Sequence, residues 1–330
     1  MQPDKFDFVI NRRSGTVLDL GIEQVQHDIR AAFGDKTGDM LLIEGQDIAQ
    51  TVRTWADQHA GGTRGLIICG GDGTLLTAAN QVLGRKDVTI GTLPLGTNCL
   101  VARQLGLTGD FKKAAAKYKD IETVDMDVAQ VNGKNFLVAM LIDPNSVQLF
   151  HAREELRDGD TVAIPRLMQA ITGALTGTKT RIRVEDNTDN KPKDHAGRII
   201  MISNNPVTPR PNTLDLGKTG ADLFKDVTEN IVTKNNLNTG KLALYAIKGN
   251  AWNFGLLNPK SILQAAWNGT WTQHKSVTSE VAPELTVEPA RKKDAGKDIP
   301  IIIDGELEHV QYPLKIKSLP GALRMFRPKP

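Results

Sequence analysis

Gly65-Leu66-Ile67-Ile68-Cys69-Gly70-Gly71-Asp72-Gly73-Thr74, with the helical run Leu75 to Leu83 behind it, decides the fold. An unbroken apolar run of this length reads as a strand buried on both faces, as in a parallel sheet covered by helices. The glycines that end it let the backbone approach a ligand and turn successive N–H groups outward, and the helix that follows adds partial positive charge at its N-terminus. A phosphate fits such a cradle. Asp72, inside the loop, would repel an anion unless a cation stood between them, so it reads as a direct or indirect Mg²⁺ partner, with Thr74 capping the helix. The competing reading is a plain glycine-rich strand-to-helix turn.

The residues around this stretch continue the same alternation of strand and helix. Phe6 to Ile10 reads as a strand, and Ile22, Val25, Ile29, Ala32 and Phe33 as one stripe of a helix ended by Gly34. Met40 to Ile43 is a second strand, Asp47 can cap a helix carrying Ile48, Val52 and Trp55, and Val88 to Leu93 is a fourth strand. After it comes Pro94-Leu95-Gly96-Thr97-Asn98, leading into a helical run from Leu100 to Leu105. A parallel sheet binds ligands at the carboxyl ends of its strands, so this loop joins the first, although alone it reads equally as a turn. Asn11-Arg12-Arg13-Ser14-Gly15, after the first strand, is a third candidate, its arginines also readable as solvated charges. Asp110 opens a helix, Phe111 to Lys119, whose basic residues read as a solvated face.

Beyond Thr123 the texture becomes strand-like, with Asp125 to Val131, the turn Asn132-Gly133 and Asn135 to Ile142. A helix is expected at Ile164 to Leu175, and strands at Thr180 to Val184, Arg198 to Ile202, Lys241 to Ile247, Ser276 to Val281 and Ile299 to Ile303. Glu185 to Ala196 and Pro206 to Thr239 are polar and read as loops. Domains are therefore expected at 1–124, with a tail at 319–330 returning to it, and at 125–318. Trp252, Phe254, Trp267 and Trp271, interspersed with Leu256, Leu257, Ile262 and Leu263, read either as a docking surface for a bilayer or as cover for the second domain's core.

The chain has 330 residues, with 41 Lys+Arg against 38 Asp+Glu, for a net charge of +3. That near balance argues against nucleic acid, although a small positive excess suits an anionic membrane surface. The apolar runs fall far short of the roughly 20 residues needed to span a bilayer, and the N-terminus lacks a signal-peptide pattern. A cytoplasmic protein with peripheral membrane contact is expected. Cys69 and Cys99 make no disulfide framework, no Cys/His cluster has zinc spacing, and metal ligands are not identifiable. A homodimer stays open.

Far downstream, Asp304-Gly305-Glu306 follows the apolar strand Ile299 to Ile303; alone it reads as a tight turn. Taken together, Asn11, Gly70 to Thr74, Pro94 to Arg103, Val124 to Asp127 and Asp304 to Glu306 resemble the diacylglycerol kinase catalytic-domain family, which includes bacterial lipid kinases and sphingosine kinases. The resemblance implies an NAD-kinase-like α/β domain, mostly parallel, joined to a mainly-β sandwich, with ATP in the cleft between them. It implies a lipid kinase that moves the γ-phosphate of ATP, with Mg²⁺, to a hydroxyl of diacylglycerol or a related lipid. Asn11, Ser14, Gly70, Gly71, Gly73, Thr74, Gly96, Thr97 and Asn98 would hold the nucleotide. Asp72 would organise the metal, Glu306 would act as general base, helped by burial, and Asp304 and Asp127 would support them. Asp72→Ala is expected to spare the fold.

The chain departs from the family pattern at Cys99 and Leu100, where relatives carry Asn and often Asp, and Arg12 replaces a usual Pro. Asn238-Thr239-Gly240 lacks the acid by which relatives hold a structural Mg²⁺. Two other readings follow: a catalytically weak member that binds lipid or nucleotide as a regulatory module, and NAD kinase, which shares the Gly-Gly-Asp-Gly-Thr loop.

Overall fold

The computed structural model describes residues 2–96, 99–107, 110–157, 179–186, 192–209, 234, 236–248 and 269–329. The chain divides into two compact units, one of residues 1–128 with 320–330 and one of residues 129–319.

In the first unit, β1 (Lys5–Asn11), α1 (Gly15–Leu20), α2 (Ile22–Phe33), β2 (Thr37–Ile43), α3 (Ile48–His59), β3 (Arg64–Gly70), α4 (Asp72–Ala79), β4 (Ile90–Pro94), α5 (Leu100–Gln104), α6 (Phe111–Ala116) and the first part of β5 (Ile121–Val131) follow in order. The sheet order is β2-β1-β3-β4, every pairing parallel. β3 is buried from Gly65 to Gly70, the burial on both faces that its apolar run requires. Helix α2 stops at Gly34, and the Asp110 carboxylate caps α6 by accepting from Lys113 N at 2.8 Å, both as expected. Asp47 makes no cap hydrogen bond, and Thr74 lies within the first turn of α4 rather than at its cap, which is Gly71. The short helix α1 is missed by periodicity, because six residues carry less than two turns of pattern.

The chain's C-terminal stretch closes this unit. Met325 pairs in parallel with Ile90 of β4, Gly84 N donates to Ala322 O at 2.8 Å, and Lys86 Nζ donates to Gly321 O at 2.6 Å.

The second unit is antiparallel and β-rich. It contains β6 (Lys134–Phe136), β7 (Ala139–Leu141), α7 (Pro144–Arg157), β8 (Thr180–Asp186), β9 (Lys193–Gly197), β10 (Ile199–Asn204), β11 (Leu242–Ile247), β12 (Val277–Ala282), β13 (Glu284–Pro289), β14 (Asp298–Ile303), β15 (Glu306–Gln311) and the first part of β16 (Leu314–Pro328). One sheet runs β12-β11-β10-β7-β14-β15, and in another β13 lies between β16 and β8, with β9 beyond. Alternate residues of both sheets, among them Ile182, Val184, Leu285 and Val287 from one and Ile200, Ile202, Leu242 and Leu244 from the other, form one buried apolar cluster.

The expected strand Asn135 to Ile142 is instead two strands broken after Phe136, where the Asp304 side chain takes the backbone N–H groups. Strand β9 occupies part of the stretch Glu185 to Ala196 read as a loop; its polar Lys193 and Asp194 are exposed, while His195 and Gly197 are buried. Helix α7 was also not expected. Its signal is Asp143-Pro144-Asn145-Ser146: the Asp143 carboxylate accepts from Ser146 N at 2.8 Å as a cap, and Pro144 fits the first helical turn. The expected helix Ile164 to Leu175, most of Pro206 to Thr239, and Trp252, Phe254 and Trp267 lie outside the described residues. Trp271 is buried and its ring lies 5.2 Å from that of Tyr245, so this tryptophan covers core. No described helix is long and apolar enough to cross a membrane.

Candidate functional site

Because β1, β3 and β4 are parallel neighbours, their carboxyl ends deliver three loops to one edge of the sheet, where parallel sheets bind ligands. Each loop touches the next. Asn11 Nδ2 donates to Thr74 Oγ1 at 3.0 Å, joining the 11–15 loop to the phosphate loop. Thr16 N donates to Leu95 O at 3.1 Å, and Leu95 N to Gly70 O at 3.1 Å, joining the second loop to both. Ser14 N donates to Asn11 O at 3.1 Å. The Ser14 hydroxyl is buried without a hydrogen-bond partner among the described residues, so it is free to serve a ligand.

Gly71 and Gly96 make the tightest approach. A Cβ on Gly96 would lie 2.5 Å from Gly71 Cα, closer than carbon atoms can sit, so only glycine lets the two loops meet. Thr97 and Asn98, expected to continue the second loop, lie outside the described residues. Cys99 adopts the left-handed conformation with φ 47°, a region that Asn tolerates better than most residues. Its thiol lies 3.3 Å from Gly96 N, 3.2 Å from Gly96 O and 3.6 Å from Gly70 O, so it closes the second loop upon the first.

The Asp72 carboxylate has a definite task. Its Oδ2 accepts from Leu100 N at 2.9 Å and its Oδ1 from Val101 N at 3.1 Å, capping the first turn of α5 from the phosphate loop. Asp72 thus ties the two ligand loops together. The backbone N–H of residue 100 does this work, which explains how Leu100 is accommodated there. Asp127 is fully buried in β5, and its carboxylate accepts from Gly321 N at 2.8 Å, anchoring the C-terminal stretch to the first unit.

In the second unit, Asp304 and Gly305 form the two-residue turn of the β14–β15 hairpin, with Ile303 paired to Glu306. Their φ angles are 48° and 89°, both positive, as the tight hairpin turn of mirror-image type demands. The turn reading of this motif is therefore correct as local structure. The Asp304 carboxylate is buried and accepts from Leu137 N at 2.6 Å, Val138 N at 2.9 Å and Ala139 N at 3.0 Å. Burial raises its pKa above the ordinary carboxylate value, partly countered by those N–H groups and by Lys234. Glu306 is exposed at the start of β15, so the burial expected to help it as a base is absent.

Lys234 was not anticipated from sequence, since nothing in its polar surroundings marks a lysine for burial. It is only 3% exposed, and its Nζ donates to Val138 O at 2.7 Å. Burial pushes its pKa down to about 7, opposed by the Asp304 charge.

Among the described residues, no group of three or more His, Cys, Asp or Glu side chains could hold a metal ion. Mg²⁺ is commonly held by one or two carboxylates together with substrate phosphates and water.

Residues 5–131 match the family model described as Diacylglycerol kinase catalytic domain. Solved structures from Bacillus anthracis str. Sterne are similar over nearly the whole chain, each described as a diacylglycerol kinase, two of them provisionally. One is 18% identical with a TM-score of 0.67, covering 98% of this chain and 95% of that one. Another is 16% identical with a TM-score of 0.63, covering 98% and 97%. A third is 18% identical with a TM-score of 0.63 and the same coverage of 98% and 97%. At these identities the likeness is one of fold: an N-terminal α/β unit with a parallel sheet and a C-terminal antiparallel β-rich region. The three touching loops all lie within residues 5–131, the segment that matches the diacylglycerol kinase catalytic-domain model.

Proposed function

We propose that this chain is an ATP-dependent lipid kinase that transfers the γ-phosphate to a hydroxyl of diacylglycerol or a related lipid. The observation that carries the reading is the meeting of the 11–16, 70–74 and 94–99 loops at the carboxyl ends of adjacent parallel strands, on a segment with the family match. In this reading the first unit is an NAD-kinase-like nucleotide domain, and the second is a β-sandwich that takes the lipid. Gly70, Gly71 and Gly73 offer backbone N–H groups to phosphate oxygens, and Asn11 and Ser14 add side-chain donors. Asp72 acts by holding the second loop against the first rather than by offering free oxygens. Mg²⁺, bound with the nucleotide, supplies neutralisation of the charge on the phosphates. The lipid hydroxyl oxygen attacks the γ-phosphorus, the bond from that phosphorus to the β,γ-bridging oxygen breaks, and ADP leaves. Glu306 accepts the hydroxyl proton, and Asp304 fixes the turn that carries it. The protein meets its substrate at an anionic membrane surface.

One observation favours a second reading, in which the chain binds nucleotide or lipid without turnover: both Asp72 oxygens are engaged by backbone N–H groups. The two are separated by incubating the protein with Mg-ATP labelled at the γ-phosphate and a total lipid extract, beside Glu306→Gln. Label in a lipid with the wild type and not with the variant is expected. Nucleotide binding without labelled lipid would favour the second reading instead, and labelling of added NAD would point to an NAD kinase.

A further inference from the structure

A buried lysine is costly unless its charge is balanced, and removing the partner of a buried charge is strongly destabilising. The Asp304 charge works against the burial that lowers the Lys234 pKa, and the Lys234 charge works against the burial that raises that of Asp304. Both grip the three-residue segment Leu137 to Ala139. Asp304 takes its N–H groups and Lys234 takes the Val138 carbonyl. That carbonyl is independently satisfied by Asn204 N at 3.0 Å, and the Leu137 carbonyl by Asn204 Nδ2 at 3.0 Å. The hydrogen bond from Lys234 is therefore not what the backbone lacks; its distinct contribution is a positive charge on the Val138 carbonyl, one peptide unit from the N–H groups that Asp304 accepts. Asp304 is also the first residue of the turn whose next strand begins with Glu306.

We propose that Lys234 is a positioning residue that fixes the Asp304–Gly305 turn, and with it the place of Glu306, by balancing the buried Asp304 charge across the Leu137–Ala139 segment. The role in phosphoryl transfer rests on the reading of Glu306 given above. The hold on the turn does not.

The test compares the full-length wild type with Lys234→Met and Lys234→Arg at one matched pH near neutrality. Backbone hydrogen exchange at Leu137, Val138 and Ala139 reads the turn directly, with Val9 in the first unit as the internal control. In Lys234→Met, exchange at those three amides is expected to rise about tenfold or more while Val9 is unchanged. The same variant is expected to lose about tenfold in kcat with KM for ATP within about twofold, and Lys234→Arg to restore both. Unchanged exchange in a folded Lys234→Met would overturn the proposal, and so would equal damage in the Met and Arg variants, which would mark a packing role. If Lys234→Met does not fold, Lys234→Met combined with Asp304→Asn removes both charges and is expected to fold; failure of the pair would also overturn it. The expected exchange pattern in a wild type that transfers no phosphate would uphold the hold on the turn and sink the lipid-kinase reading alone.

Discussion

Asp72 gives the sharpest test of whether the phosphate loop and the second loop are one mechanical unit. Asp72→Ala removes the acceptor for Leu100 N and Val101 N at the start of α5, at a residue only 9% exposed. Hydrogen bonds to a charged partner contribute about 1.5–3 kcal/mol each, and replacing a good helix cap by Ala costs about 0.5–2 kcal/mol. The two bonds share one carboxylate and are not additive, so we expect a loss of about 2–4 kcal/mol in the first unit. Asp72→Asn keeps the shape but offers one acceptor oxygen and a donor where the second N–H stands, so about half of that loss is expected. With a urea slope of about 2–3 kcal/mol per molar, the Ala variant's unfolding midpoint should fall by about 1 M. The assay is urea unfolding followed by hydrogen exchange at the Leu100 and Val101 amides, and exchange should rise in step with the lost stability. Sequence reasoning alone expects Asp72→Ala to spare the fold while reducing phosphoryl transfer by orders of magnitude. Wild-type midpoints and protected amides in both variants would refute the geometric argument and return Asp72 to a purely catalytic or metal-binding role.

Gly96→Ala would press a Cβ to 2.5 Å from Gly71 Cα, so we expect a loss of about 2 kcal/mol or more and weaker ATP binding by calorimetric titration; unchanged values of both would refute the close approach. Glu306→Gln, at an exposed strand start, should change stability by less than about 0.5 kcal/mol while phosphoryl transfer falls by about 10²–10⁴-fold, and a wild-type rate would remove Glu306 as the base. Lys234 holds its proton less tightly when folded, at about 7 against the ordinary 10.5, so between these values the unfolded chain binds more protons and stability falls as pH falls. The stability of the wild type relative to Lys234→Met should therefore decline from about pH 10.5 to about pH 7 by up to about 1.4 kcal/mol per unit, and parallel curves would contradict it. Cys99→Asn places a residue tolerant of positive φ at a left-handed position, so unfolding and ATP affinity should stay close to wild type; a large loss of either would show that the thiol contacts matter more than the backbone.

Sequence alone determined the features written in local pattern. The alternation of strand and helix through residue 119, the burial of β3, the stop of α2 at Gly34 and the cap of α6 at Asp110 follow from periodicity and short-range chemistry, which depend on neighbours a few residues away. The glycine loop and its place at the end of a parallel strand were legible for the same reason. What only the tertiary structure decided are the partners of buried polar groups. Asp72 could be read as a metal partner because the N–H groups it satisfies lie 28 and 29 residues on. Asp304 reads as a turn residue, yet its carboxylate breaks a strand 165 to 167 residues earlier in the chain, and that contact splits β6 from β7. The burial of Lys234 has no local signature, and the exposure of Glu306 follows from which face of its hairpin meets solvent. A polar side chain taken out of water must find its partner wherever the fold brings one, and sequence spacing carries no record of that distance.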